Sequence, residues 1–453
     1  MPNTIVTLKK GEGRTIKMGG AWIYDNEIDT ISGHFKNGDI CLVHDFDGYP
    51  MGSGFINQNS KIRIRMLTRN KNQEVDYEFI FMRVKNAWEY RKNVMKNANP
   101  DNVGGIGNIG ISDLNCTRVI FGEADFLPGL VVDKYDNVLV VECLALGMER
   151  LKRAVLFSLV HLMSEDGIEI EAVYERSDAA VRKKEGLQPF KGILPLEWIK
   201  SFNEDISNNF DYAKLEEIVS QKEKEIVNRP VQIVENGVKY LVDVINGQKT
   251  GFFLDQKYNR YAIQMICKNL AKNHGNIRVL DCFTHMGTFA LNCARAGAFD
   301  VTGLDISEYA VSQATENAKI NGLQDRAHFV AANVLDELPK LAEKGEKYDL
   351  LILDPPAFTK SREATKNAIK GYREINMKGL KLVKDGGYFA TCSCSHFMTQ
   401  DLLCEVVKQA AKATHKRLRQ IEFRTQASDH PILWAADESY YLKFLIFQVV
   451  DEK

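Results

Sequence analysis

The sequence predicts an α/β protein whose C-terminal half is a doubly wound, mostly parallel sheet, preceded by a small β-barrel-like module and an α+β segment. From residue 277 onward, buried apolar runs alternate with helical patterns five times in succession, as expected of parallel strands joined by crossover helices. Residues 1–75 instead carry short β-type runs separated by turn residues such as GEG, NGD and DFDGYP. The 453 residues exceed what one hydrophobic core organises, so two to four domains are expected.

In chain order, ICLVHDF (40–46) and KIRIRML (61–67) read as strands of the first module. The second strand puts Lys61, Arg63 and Arg65 on one face and Ile62, Ile64 and Met66 on the other. Arg69, Lys71, Arg83, Lys85, Arg91, Lys92 and Lys96 follow with few acids between them. Such a stripe is either a solvated face or a surface for the phosphates of a polyanion. Residues 78–96 read as an amphipathic helix, and NPDNVGGIGNIG (99–110) as a loop. Gly105, Gly107 and Gly110 neither follow a strand nor open a helix, so they make no dinucleotide fingerprint. TRVIFGE, GLVVDKY and NVLVVECLA read as strands, with a helix over 149–164. Residues 197–230 are polar and acidic and read as a helical insertion. The expected domains are therefore 1–75, 76–196, the insertion 197–230, and 231–453.

The last domain opens with strands at 231–234 and 238–244 around the turn Glu235-Asn236-Gly237. Five units follow: IRVLDCF with a helix from about 287, DVTGLDI with 307–321, AHFVAAN with 334–344, YDLLILDPP with a helix near 365–384, and GGYFATCSC with 399–414. RLRQIEFR and YYLKFLIFQVV are joined by the short DHPILWAADE, which predicts an antiparallel pair.

Bulk properties exclude several classes. A formal net charge of −1 gives no global pull toward nucleic acid or membrane, so any polyanion site is local. The N-terminus lacks the apolar core of a signal peptide, and no run approaches 18 apolar residues, so no membrane span is expected. Nine scattered cysteines without a CxxC pair read as reduced thiols of a cytoplasmic protein, with no metal site.

Ligands of such sheets bind at the carboxyl ends of the strands. The first ends in LDCFTHMG: Asp281 at its end, Phe283 in the turn, and Gly287 opening the helix. One firm glycine argues against a dinucleotide. The second ends at Asp305, where a carboxylate can accept two hydrogen bonds from a ribose diol. The third ends at Asn333, whose side-chain carbonyl can accept from an adenine amino group. The fourth ends in Asp354-Pro355-Pro356-Ala357-Phe358, a rigid extended loop able to hold a flat ring beside a carboxylate. An acid at a strand end is often only a helix cap. The ordered set at consecutive strand ends is the specific signal, and it is the layout of an S-adenosylmethionine site.

DPPAF, the TCSCS strand end, GQKTGFFLDQ (247–256), ERSDAAVRKKEG (175–186) and FGEADFLPGLVVDKY (121–135) together resemble the bacterial 23S rRNA cytosine-5 methyltransferase family. The resemblance covers nearly the whole chain apart from roughly 197–229. It implies an N-terminal PUA domain, a central α+β domain and a C-terminal class I (Rossmann-like) methyltransferase domain. It also implies S-adenosylmethionine as cofactor and 23S ribosomal RNA as partner, and it leaves a homodimer open. The PUA fold binds RNA, which favours the phosphate reading of Lys61, Arg63 and Arg65. GQKTGFFLDQ is implied to line the cofactor pocket, with Phe252 and Gln256 as its contributors, although Phe252-Phe253 alone would read as core. Family members often carry a second glycine where this chain has Thr288, and Asp where it has Asn333.

ATCSCSHFM (390–398) carries the last piece of chemistry. Carbon 5 of cytosine is too weak a nucleophile to take a methyl group, but addition of a thiolate to carbon 6 makes it enamine-like. That requires one thiolate at a strand end and a carboxylate near N3. Strand alternation puts Cys392 and Cys394 on one side with Cys392 a step deeper. Cys394 aligns with the family's SCS cysteine, so Cys394 is expected as nucleophile, Asp354 as its carboxylate, and Cys392 as wall. His396 is a candidate base for the C5 proton. The alternatives are a methyltransferase with another target base or atom, and a non-catalytic RNA-binding assembly factor. A stacked cytosine cannot present carbon 6, so the target must be flipped or single-stranded.

Overall fold

The computed structural model describes residues 4–97, 114–206, 215–359 and 363–451. The glycine-rich loop 99–110 and part of the 197–230 insertion lie outside them. The chain divides into two compact units: Met1–Ile233 with Val242–Leu254 and Ser428–Ser439, and Val234–Leu241 with Asp255–Ala427 and Tyr440–Lys453. Residues 231–233 and two further segments C-terminal to the expected boundary at 230 thus belong to the first unit. No helix among the described residues is long and apolar enough to cross a membrane.

The first unit holds two sheets. One is six-stranded, in the order Trp22–Tyr24, Ile62–Thr68, Pro50–Ile56, Ile40–His44, Ile5–Leu8, Ile28–Ser32. The other has five strands, in the order Phe190–Ile193, Ala172–Ser177, Val138–Cys143, Leu130–Tyr135, Cys116–Phe121. Helices Tyr77–Asn97 and Leu146–Glu165 contribute Trp88 and Leu159 to an apolar cluster that also takes Phe55 and Leu67 from the first sheet and Val141 from the second. The second helix approaches the first sheet so closely that a Cβ on Gly147 would lie 2.0 Å from the Phe55 ring. The insertion supplies short helices Leu196–Lys200, Leu215–Ile218 and Gln221–Val227, and Ile199 and Leu215 join the same cluster.

The basic stripe differs from the expected single solvent-facing surface. Lys61 is exposed and Arg63 half-buried, its guanidinium donating to the Asn57 carbonyl at 3.2 Å. Arg65 is buried, paired with Glu185 at 3.0 Å and Glu123 at 3.5 Å, and does not face solvent. Arg91 is likewise buried against Asp125. A desolvated guanidinium must be paired, and the acids that pair these two come from remote segments that strand alternation cannot reveal.

In the second unit the seven-stranded sheet is built from β1 (Arg278–Cys282), β2 (Asp300–Asp305), β3 (Ala327–Ala331), β4 (Tyr348–Leu353), β5 (Val383–Ser393), β6 (Lys416–Arg424) and β7 (Lys443–Asp451). Helices α1 (Thr288–Arg295), α2 (Glu308–Ile320), α3 (Val334–Glu343), α4 (Thr365–Leu380) and α5 (Gln400–Ala413) connect them up to β6. The order is β3-β2-β1-β4-β5-β7-β6: the first five strands run parallel, and β7 enters antiparallel between β5 and β6. The doubly wound sheet expected from the strand–helix alternation is therefore present. The order reverses between β1 and β4, which opens a crevice at their carboxyl ends.

Candidate active site

Asp281 on β1 is fully buried. Its Oδ2 accepts from the Thr284 hydroxyl at 2.5 Å and from the Ala290 amide of α1 at 2.9 Å, so it caps that helix from a distance. Its Oδ1 is buried with no hydrogen-bond partner among the described residues. Burial pushes this carboxyl up to about 7.

The turn beyond it holds three left-handed residues, Phe283 (φ 65°), His285 (φ 52°) and Gly287 (φ 82°). A Cβ on Gly287 would lie 2.8 Å from Phe329, so only glycine fits there. Two non-glycine residues in this region store backbone strain of the kind that gathers at ligand sites. Asp305 ends β2, half-buried, its two oxygens accepting the amides of His285 and Ser307 at 2.9 Å each. Asn333 is exposed and caps α3, its side chain accepting from the Leu335 amide at 3.1 Å.

Asp354 follows β4, and its amide donates to Cys282 O at 3.2 Å across the switch point. The Cys392 thiol donates to Asp354 Oδ1 at 2.8 Å, and Gln256 Nε2 to Oδ2 at 3.3 Å. Burial pushes the Asp354 carboxyl up to about 6. Pro355 is buried and Pro356 exposed beside it. Gln256 is itself buried, its carbonyl accepting from Asn259 at 2.6 Å, so it positions Asp354.

The two thiols are unlike. Cys392 is 0% exposed, and burial with the Asp354 charge drives its thiol well above the usual range. Cys394, one residue past β5, is half-buried. The serines on either side pin it. Ser393 Oγ lies 2.8 Å from the Tyr372 hydroxyl, and Ser395 donates to Thr359 O at 2.9 Å. This is the physical content of the SCS tripeptide: two anchored serines hold a reachable cysteine.

Lys443, which the sequence did not single out, lies beside the cysteine loop. It is 1% exposed, with Nζ donating to the carbonyls of Ser395 at 2.6 Å and Tyr441 at 2.9 Å. Burial pushes its ammonium down to about 8, while the Cys394 and Cys392 thiols act in the opposite sense. A lone lysine in the apolar run YYLKFLIFQVV was the available signal.

Other expected positions have plainer roles. Phe252 is buried in the first unit, its amide and carbonyl both within 3.2 Å of the Tyr135 hydroxyl, the packing reading that the residues alone favoured. Arg260 is buried in a two-point pair with Glu235 at 2.6 and 2.9 Å. His396 is exposed beside the Tyr440 carbonyl. His430 is buried against Asp429 in the first unit.

The site fits an S-adenosylmethionine cofactor on its own terms. A buried carboxylate oxygen without a partner suits a cationic group, and the strained turn follows β1 at its carboxyl end, where ligands of such sheets bind. The Asp281 shift has a measurable consequence. Its folded value lies above its unfolded one, so its contribution to stability is complete below about pH 4 and is lost as pH rises toward about 7. Asp281→Asn is expected to remove that loss, roughly 1.4 kcal/mol per unit of pH across the window. Urea denaturation of both cofactor-free proteins between pH 4 and 8 checks it; parallel curves would refute it.

Residues 6–69 match a PUA-like domain, and residues 218–447 match the S-adenosylmethionine-dependent methyltransferase family. With the crevice, the strand-end acids and the β3-β2-β1-β4-β5-β7-β6 sheet, the protein is an S-adenosylmethionine-dependent methyltransferase. The chain is 35% identical over 445 residues to the ribosomal RNA large subunit methyltransferase I of Pseudoalteromonas translucida, covering 98% of this chain and 99% of that one. It is 34% identical to the protein of the same name from Aeromonas salmonicida, with the same coverage. It belongs to the ribosomal RNA large subunit methyltransferase I family. A SAM-dependent methyltransferase from Streptococcus mutans shares the fold, with a TM-score of 0.71 at 15% identity over 98% of this chain and 99% of that one.

Proposed function

We propose that this methyltransferase forms 5-methylcytosine in large-subunit ribosomal RNA through a covalent bond between Cys394 and carbon 6 of the base. The names of its relatives supply the substrate class. The asymmetry of the thiols carries the chemistry: one cysteine is sealed and held protonated against Asp354, and the other is reachable between two anchored serines.

When bound, S-adenosylmethionine supplies a sulfonium methyl group for carbon 5. Asp305 holds the ribose hydroxyls, Asn333 the adenine edge through the remaining capacity of its side chain, and Asp281 Oδ1 a cationic group. Phe283, Gly287 and Pro355 shape the walls. The Cys394 thiolate forms a bond to carbon 6 as the 5,6 double bond opens. Asp354, with its carboxyl near 6, hands a proton to N3 in the same step, so charge does not accumulate on the ring. Lys443, buried at the Ser395 carbonyl, offers the thiolate a cation in a dry setting. Once carbon 5 has taken the methyl group, its proton leaves to water, the electron pair of that bond re-forms the 5,6 double bond, the carbon 6–sulfur bond breaks to free Cys394 as thiolate, and N3 returns its proton to Asp354.

Bisulfite sequencing of 23S rRNA from cells with and without the gene tests the reading. One protected cytosine should become convertible in the deletion. An unchanged pattern would overturn the proposal.

A further inference from the structure

The first unit contains a cavity of about 130 Å³ lined by Arg69, Arg83, Glu123, Phe126, Leu433 and Ala436. Arg69 donates to the carbonyls of Ile16 at 3.1 Å and Gly20 at 2.8 Å, and Arg83 to that of Leu67 at 3.2 Å. Among the described residues neither guanidinium has a carboxylate partner. Glu123, the acid on the cavity wall, is already engaged by the Trp22 indole at 2.8 Å and by Arg65 at 3.5 Å. Burial lowers both arginines, and the Arg69 charge lowers Arg83 further, so two like charges face each other without a counter-ion. Planar guanidiniums in that position make a seat for a phosphate.

The rim is aromatic. The Arg83 guanidinium lies 4.9 Å from the Phe126 ring centre, and Phe126 is 41% exposed on a left-handed backbone of φ 58°. Trp434 follows the cavity-lining Leu433 in the chain and is 96% exposed. An indole held almost wholly in water is an unused stacking surface. Arginines that track phosphates beside aromatics that stack bases are what binding of a single strand requires.

We propose that this patch binds a single-stranded RNA segment, with a phosphate between Arg69 and Arg83 and a base stacked on Trp434. The proposal rests on the reading that the substrate is RNA. It assigns the contact to a cavity joined from five chain segments and not to the 61–65 strand.

The test is binding of a labelled single-stranded 23S rRNA fragment to the full chain in a Cys394→Ala background, across a salt series. Trp434→Ala touches an exposed side chain and should leave the fold intact; it is expected to weaken binding roughly tenfold. The double variant Arg69→Gln, Arg83→Gln should reduce the slope of log affinity against log salt by about 0.7, one phosphate on a single strand. If the unsubstituted patch binds the fragment and both variants bind it equally with the same slope, the patch is not an RNA site and the proposal falls, while the methyltransferase reading stands. If no form of the protein binds or methylates RNA, the reading of the substrate falls and takes the patch with it.

Discussion

Cys394→Ala is expected to lower turnover by about 10⁴-fold or more while S-adenosylmethionine affinity stays within twofold of wild type. Cys392→Ala should retain turnover within roughly tenfold. The difference follows from the surroundings of the two thiols. Cys392 is 0% exposed, and its proton is shared with Asp354 at 2.8 Å, so a substrate atom cannot reach the sulfur and the thiolate is disfavoured. Its removal leaves a small void and takes a donor from Asp354, a modest structural cost. Cys394 is half-buried beyond the strand end, and its removal deletes the attacking atom. Trapping with RNA carrying 5-fluorocytidine separates the two: an adduct stable to denaturation should form with wild type and Cys392→Ala and not with Cys394→Ala. The reverse pattern would exchange the two assignments.

Asp354→Asn is expected to cost about 10²–10⁴ in kcat, the range of a lost proton donor. Its pH dependence is the sharper mark. With a carboxyl near 6, the protonated form able to donate to N3 declines as pH rises through that value. The wild-type kcat/KM profile should therefore carry a falling limb near pH 6, and that limb should vanish in Asp354→Asn. Stability separates chemistry from folding. A raised carboxyl pKa disfavours the folded state above about pH 6, so the asparagine protein should be no less stable than wild type at pH 8. An inactive protein that is also markedly less stable would point to a purely structural role.

Much of the second unit was legible because its signals are local. Alternating apolar runs and helix patterns give β1 to β5, and Asp281, Asp305 and Asp354 stand at successive strand ends because the parallel sheet puts them there. The relation of Cys392 to Cys394 also follows from period two. What was not legible is what covers a face once periodicity has defined it. Arg65 lies on the expected face, but Glu185 lies 120 residues away in sequence and closes over it. Asn333 and Asp281 serve as helix caps as well as proposed cofactor contacts, a double use that composition cannot separate. The left-handed Phe283 and His285 carry no glycine to announce them. Lys443 looked like one charge in an apolar strand until its carbonyl partners were in view.

The segment Ser428–Ser439, which belongs to the first unit, sets an order of assembly. Asp429 accepts from the Thr117 hydroxyl and the Arg118 amide at 3.0 Å each, and its carbonyl takes the Arg91 guanidinium at 2.9 Å. During synthesis those three donors are made more than 300 residues before their acceptor. The N-terminal unit therefore stays incomplete until the sheet of the second has almost all been translated. A chain broken off before residue 428 would leave the buried Thr117 hydroxyl and the Arg118 amide without their Asp429 acceptor, so the first unit completes its hydrogen bonding only once that segment has been made.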